Sequence, residues 1–110
     1  EVLKLADIIH MTKISINKDK LKFLNLHKSF FSELKNTMCD VSGDQVIIYD
    51  SSKKNSDPAC VELKIKDTLY EVYFWDGYSL ADKLTTESYE KALLQFKKFS
   101  KKLAKNLRKF

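Results

Sequence analysis

The chain carries two imidazoles, His10 and His27, and two thiols, Cys39 and Cys60. None stands in a spacing that catalysis or metal binding uses: there is no CxxC pair, no His cluster, no glycine-rich phosphate loop and no paired-carboxylate signature. His27 reads as a surface or capping group, and the single arginine, Arg108, argues against an arginine-dependent ribonuclease. No enzyme activity, catalytic residue, metal or cofactor is therefore expected. Two isolated cysteines are no disulfide framework, and they read as buried free thiols.

What remains is the chemistry of phosphate recognition. Lys plus Arg number 20 against 15 Asp plus Glu, a formal charge of +5 with a pI near 9.1, which favours a polyanionic partner. The charge is unevenly spread: residues 1–82 hold 11 basic and 13 acidic side chains, net −2, whereas residues 83–110 hold 9 and 2, net +7. From Lys91 onward there are eight basic residues and no acid. Such a run reads as the solvated face of a helix, as a phosphate-binding surface, or as both.

Positioning these side chains takes one domain, the most that 110 residues with 44% hydrophobic content build around one core. Val2, Leu5, Ala6 and Ile9 share a helical face, so residues 1–12 read as a first helix. Residues 13–16 alternate as a tiny strand, and Asn17 ahead of KDKLKFL offers an N-cap for a second helix over about 18–24. Phe30, Phe31, Leu34 and Met38 predict a third over about 28–39. Beyond the Ser42-Gly43-Asp44 turn, strands are expected over Gln45 to Asp50, Cys60 to Lys66 and Leu69 to Trp75, with a loop tip at 51–59 and a tight turn at Asp67-Thr68. Thr85 or Thr86 caps a long last helix with Tyr89, Leu93, Phe96, Phe99, Leu103 and Phe110 on one stripe.

Within 17–36, Leu24, Asn25, Leu26, Phe31 and Leu34 supply an apolar helix end, a turn residue tolerant of left-handed geometry, a core plug and spaced apolar positions. This stretch of about 20 residues resembles the helix-turn-helix of DNA-binding proteins, with Asn25 where Gly is usual and Leu21 at a position usually small. A preceding helix, a short strand and a following hairpin are similar to the winged-helix branch, found in bacterial, plasmid and phage regulators and partition proteins. The resemblance implies an α+β winged helix-turn-helix with a three-stranded antiparallel meander: a winged-helix domain over 1–84, and a C-terminal helix over 85–110 packed on it. It also implies a small regulator of transcription, replication or partition that binds double-stranded DNA. Lys28, Ser29, Ser32, Glu33, Lys35 and Asn36 would then face the major groove, and Lys53 and Lys54 would reach phosphate from the wing tip. Residues 17–38 read without that resemblance are a pair of core helices with solvated lysines.

A second likeness runs from Phe30 to Phe110. The order helix, three strands, helix is similar to the Alu-domain proteins of the signal recognition particle, and implies RNA bound on the sheet, with Tyr73 and Trp75 beside Lys64 and Lys66 as a stacking surface. A protein-interaction module without nucleic acid is the third reading. A final helix of about 39 Å exceeds what a small three-helix core covers, so Tyr89, Phe96, Phe99, Leu103 and Phe110 are expected to pair with a second copy in a homodimer. No run is apolar enough for a membrane span and EVLKLADIIH lacks the order of a secretion signal, which predicts a soluble, cytoplasmic protein with no membrane partner. The chain opens with Glu1, not Met, in keeping with a trimmed chain or a fragment of a longer protein.

Overall fold

The structure, a computed structural model, describes residues 16, 18–52, 58–77 and 79–108. The expected first helix and the tiny strand lie outside these residues, apart from Ile16, which is buried. The described elements are α1 (Lys20–Phe31), β1 (Thr37–Val41), β2 (Gln45–Asp50), β3 (Cys60–Lys66), β4 (Leu69–Trp75), β5 (Leu80–Thr86) and α2 (Tyr89–Arg108). The protein is α+β, with an antiparallel sheet and a long C-terminal helix.

Among the described residues the sheet has five strands in the order β1-β2-β3-β4-β5, each antiparallel to the next, where three were expected. Strands β2, β3 and β4 keep the bounds that the alternation of the sequence predicts. The added strands flank them as edges. Met38 follows Leu34 at helical spacing, which extends the expected third helix to 39. In the fold Thr37, Cys39 and Val41 instead alternate toward the core, and Met38 turns to the other face, 46% exposed. Along β5 only Leu84 and Thr86 are partly covered, so its polar sequence hides the strand from any pattern of burial.

Turns close where local chemistry allows them. Asp67 takes φ 58° between β3 and β4, a conformation Asp tolerates, and Gly77, at φ 110°, leads from β4 toward β5 as only glycine does readily. The last helix begins later than expected, because Thr85 and Thr86 are still paired with Glu71 and Tyr70. Ser88 caps it, its Oγ accepting the Lys91 amide at 3.2 Å.

Both helices lie on one face of the sheet. Val46, Ile48, Val61, Leu63, Tyr70, Val72 and Phe74 point there, meeting Phe23 and Phe31 of α1 and Ala92, Phe96, Phe99 and Leu103 of α2. Helix α2 crosses β3, β4 and β5, and α1 fills the space between β1 and α2. Phe23 meets Phe96 edge to face at 5.5 Å, and Phe99 stacks on Phe74 at 5.8 Å. The stripe expected to pair with a second subunit is thus spent on its own sheet: Phe96, Phe99 and Leu103 are buried, and Tyr89 is half-buried. Phe110 lies outside the described residues.

Candidate nucleic-acid interface

Helix α1 has no turn at Leu24-Asn25-Leu26-His27; these residues are continuously helical. Nothing in the stretch stops a helix, since Asn25 costs little there and Phe23, Leu26 and Phe30 share one face at i, i+3 and i+7. The two-helix motif is therefore absent from the described residues, and the expected recognition positions do not share a helix. Lys28 and Ser29 are exposed in the last turns of α1. Ser32, Glu33, Lys35 and Asn36 are exposed in the link from α1 to β1. Glu33 is also engaged, its carboxylate 3.6 Å from the Arg108 guanidinium, which donates in addition to the Phe30 carbonyl. The Asn36 carbonyl accepts from the Ser51 amide. Lys53 and Lys54 lie outside the described residues.

The structure gathers positive charge elsewhere. Once Phe96, Phe99 and Leu103 face the sheet, the 3.6-residue period turns Lys91, Lys98, Lys101, Lys102 and Lys105 outward, and all five are exposed. Lys101 leans its ammonium 5.5 Å over the Phe30 ring. Among the described residues, Lys91, Lys98, Lys102 and Lys105 have no carboxylate within 4 Å, so their charge is not locally cancelled. Lys20, Lys22 and Lys28 of α1 add to the same layer. Over residues 18–35 and 87–108 there are twelve basic and four acidic side chains, net +8; over 36–86 there are five and nine, net −4. The molecule is polarised, with a basic helical layer on an acidic sheet layer. The sequence announced the lysine run, but which lysines share an outward face depended on where the apolar stripe was buried.

The open face of the sheet has a different character. Tyr73 and Trp75 stack with centroids 6.3 Å apart, as neighbours along one side of β4 must be. The Trp75 indole donates to Glu62 at 3.3 Å and the Tyr73 hydroxyl to Glu71 at 2.9 Å. Lys64 and Lys83 place their ammoniums 5.0 and 5.2 Å from the Tyr73 centroid, and Lys83 also approaches Glu71 at 3.9 Å. Lysines and carboxylates are interleaved here, with Lys83 paired to Glu71 and both Glu62 and Glu71 accepting from the aromatic side chains.

The thiols are free. Cys39 sits on the core side of β1, near the Phe23 carbonyl, whereas Cys60 pairs across from Tyr49 and Trp75 on the open side, so the pleat separates them. Burial, aided by Asp40 for Cys39 and by Glu62 for Cys60, pushes both thiols up to about 11. Neither is a nucleophile near neutral pH. Among the described residues no group of three or more His, Cys, Asp or Glu is placed to hold a metal ion, and no helix is long and apolar enough to cross a membrane.

No family model matches the chain, and no curated protein or solved structure shows significant similarity to it. The winged-helix and Alu-domain likenesses stand on the sequence pattern alone.

Proposed function

We propose that this protein is a small nucleic-acid-binding domain that holds duplex DNA by its phosphates, along the outer face of α2, in the service of a DNA-bound regulatory role. One observation carries it: Lys91, Lys98, Lys102 and Lys105 form an exposed stripe with no neutralising carboxylate among the described residues. From Lys91 to Lys105 the stripe rises about 21 Å at about 1.5 Å per residue, the length of about six base pairs at 3.4 Å each. Helix α2 is anchored to the sheet by the buried Phe96, Phe99 and Leu103, which sets the backbone positions of its lysines before the ligand arrives. Lysines on a rigid rod contact phosphate as point charges, which gives affinity without base readout.

A winged-helix mode, with residues 28–36 read into the major groove, needs a second helix after a turn, and α1 gives it no support. RNA stacking on the sheet is also the weaker reading. There the Tyr73 ring is already faced by two ammoniums, and Glu62 and Glu71 repel phosphate.

The test is a titration against random duplex DNA and against structured RNA at two salt concentrations. Duplex affinity in the range of about 10⁻⁴ to 10⁻⁶ M is expected at physiological salt, falling steeply as salt rises. Replacing Lys98, Lys102 and Lys105 with Gln should lower the slope of log affinity against log salt by about 1 per lysine. Preference for structured RNA would overturn the choice of ligand, and no salt-dependent binding to either would overturn the function.

A further inference from the structure

Where α1 and α2 run side by side they leave a groove of two adjoining hollows, of about 180 and 380 Å³. Lys22, Leu26 and Lys97 border both. The first hollow is floored by Phe23, Leu93 and Phe96, with Leu94 at its mouth. The second adds Phe30, with Asn25 and Ser29 as its polar border.

Two features make this more than a packing gap. Leu94 is 59% exposed on the outward side of α2, where its neighbours one turn along are lysines, and folding gains little from an apolar side chain left there. The charge around the apolar floor is also net positive among the described residues. Lys22 and Lys97 stand over it against one acid, Asp19, whose carboxylate accepts from the Tyr89 hydroxyl and pairs at 3.7 Å with the Lys22 ammonium, itself 80% exposed and open to a second carboxylate.

We infer that this groove docks an acidic, amphipathic segment of a partner protein, one that seats bulky apolar side chains in the two hollows and sets carboxylates against Lys22 and Lys97. The volume of the first hollow suits one leucine or phenylalanine side chain, the kind of anchor that dominates peptide recognition. A phosphate backbone fits the rim but gains nothing from the apolar floor, and a neutral apolar segment leaves the lysines unused; only a segment with both properties uses the whole surface. The inference goes beyond the duplex reading and stands apart from it, because Lys98, Lys102 and Lys105 line neither hollow.

The probe is a fluorescein-labelled peptide of Glu and Asp with two leucines one helical turn apart, followed by anisotropy. A second peptide of equal charge replaces both leucines with Ala. The leucine peptide should bind about ten-fold tighter than the alanine one. Leu94→Gln and Lys97→Glu, both at exposed positions that folding does not need, should each weaken it about five-fold or more while duplex affinity changes less. The Lys98, Lys102 and Lys105 to Gln variant should do the reverse, so failure here and failure of the duplex reading give different results. Equal affinity for both peptides would reduce the groove to charge attraction, and no saturable binding of the leucine peptide up to about millimolar concentration would remove it; either result overturns the proposal.

Discussion

The Tyr89 hydroxyl donates to the Asp19 carboxylate at 2.8 Å, joining the first turn of α2 to the residue that precedes α1, 70 positions away in the chain. Asp19 stands at the N-cap of α1 without capping it through its side chain; the carboxylate serves the tertiary bond instead. The Tyr89 ring also lies against Tyr70, with centroids 5.2 Å apart, so the same residue fixes α2 to the sheet. Tyr89→Phe keeps the ring and deletes the donor. It should cost about 1.5–3 kcal/mol, the range for a hydrogen bond to a charged group, measured by urea unfolding. A double-mutant cycle with Asp19→Asn should show the two substitutions to be strongly non-additive.

Phe99 separates the expected dimer from the observed fold. Were its stripe an interface, Phe99→Asp would give a folded monomer. Its ring is 2% exposed and stacks on Phe74 of the same chain, so the substitution puts an unpaired carboxylate into the core. The cost should exceed about 4 kcal/mol, most of the stability of a domain this size, and circular dichroism should report an unfolded chain. A folded, monomeric Phe99→Asp protein would restore the interface.

These corrections mark what the sequence holds and what it hides. Val61, Leu63 and Ile65 alternate with Glu62, Lys64 and Lys66 because one face of β3 is buried and the other is not, and period-2 burial is readable in one dimension. Edge strands break that rule. Strand β5 buries almost nothing, and β1 begins where Leu34 and Met38 sit four apart and mimic a helix. A three-helix core is too small to cover a helix of that length, whereas the five-stranded sheet receives the stripe from Phe96 to Leu103. The lysine run was legible as composition. The α1/α2 groove was not, because Leu26 and Leu94 lie 68 positions apart and meet only through packing on the sheet.

Ser100 is fully buried on α2, and its Oγ has no hydrogen-bond partner among the described residues. A hydroxyl desolvated without compensation opposes folding, and nearby Ala92 and Ala104 show that small apolar groups suit this contact with the sheet. Ser100→Ala should therefore be neutral or stabilising, by up to about 1 kcal/mol, in thermal and urea unfolding. A loss of more than about 1 kcal/mol would show that the hydroxyl is satisfied in solution.

His27 bridges the end of α1 to β1. Its Nε2 lies 2.9 Å from the Thr37 hydroxyl, and its ring tilts against Phe31 with centroids 5.4 Å apart. Burial lowers its pKa below the ordinary 6.5, so the fold favours neutral imidazole. The sign follows from linkage: the unfolded chain takes up the proton more readily, so this contribution is complete above about pH 6.5 and is lost as pH falls through the folded value. Unfolding midpoints measured from pH 7.5 down to 4.5 should decline, and His27→Gln should flatten the part of that decline near pH 6.

The thiols govern the opposite limb. Cys39 and Cys60 are both pushed up to about 11 from an ordinary 9.0, chiefly by burial, with Asp40 and Glu62 adding repulsion of the thiolate. A raised pKa means that the folded state holds the proton more tightly than the unfolded one. The stabilisation is therefore whole below about pH 9 and disappears as pH rises toward 11. Tyr89, raised by burial and by its bond to Asp19, loses stability in the same direction but at higher pH. Urea midpoints at pH 7, 9 and 10.5 should fall most across the last interval, and replacing both cysteines with Ala should lower the midpoint at pH 7 yet reduce the alkaline drop. Thiol labelling at pH 8 should be slow at both positions in the folded protein and fast in urea, since neither sulfur is ionised there and each is part-covered. An alkaline limb identical in the two proteins would show that the cysteines ionise alike in folded and unfolded chains, and that the burial of Cys39 beneath α1 and of Cys60 among the open-face side chains does not persist in solution.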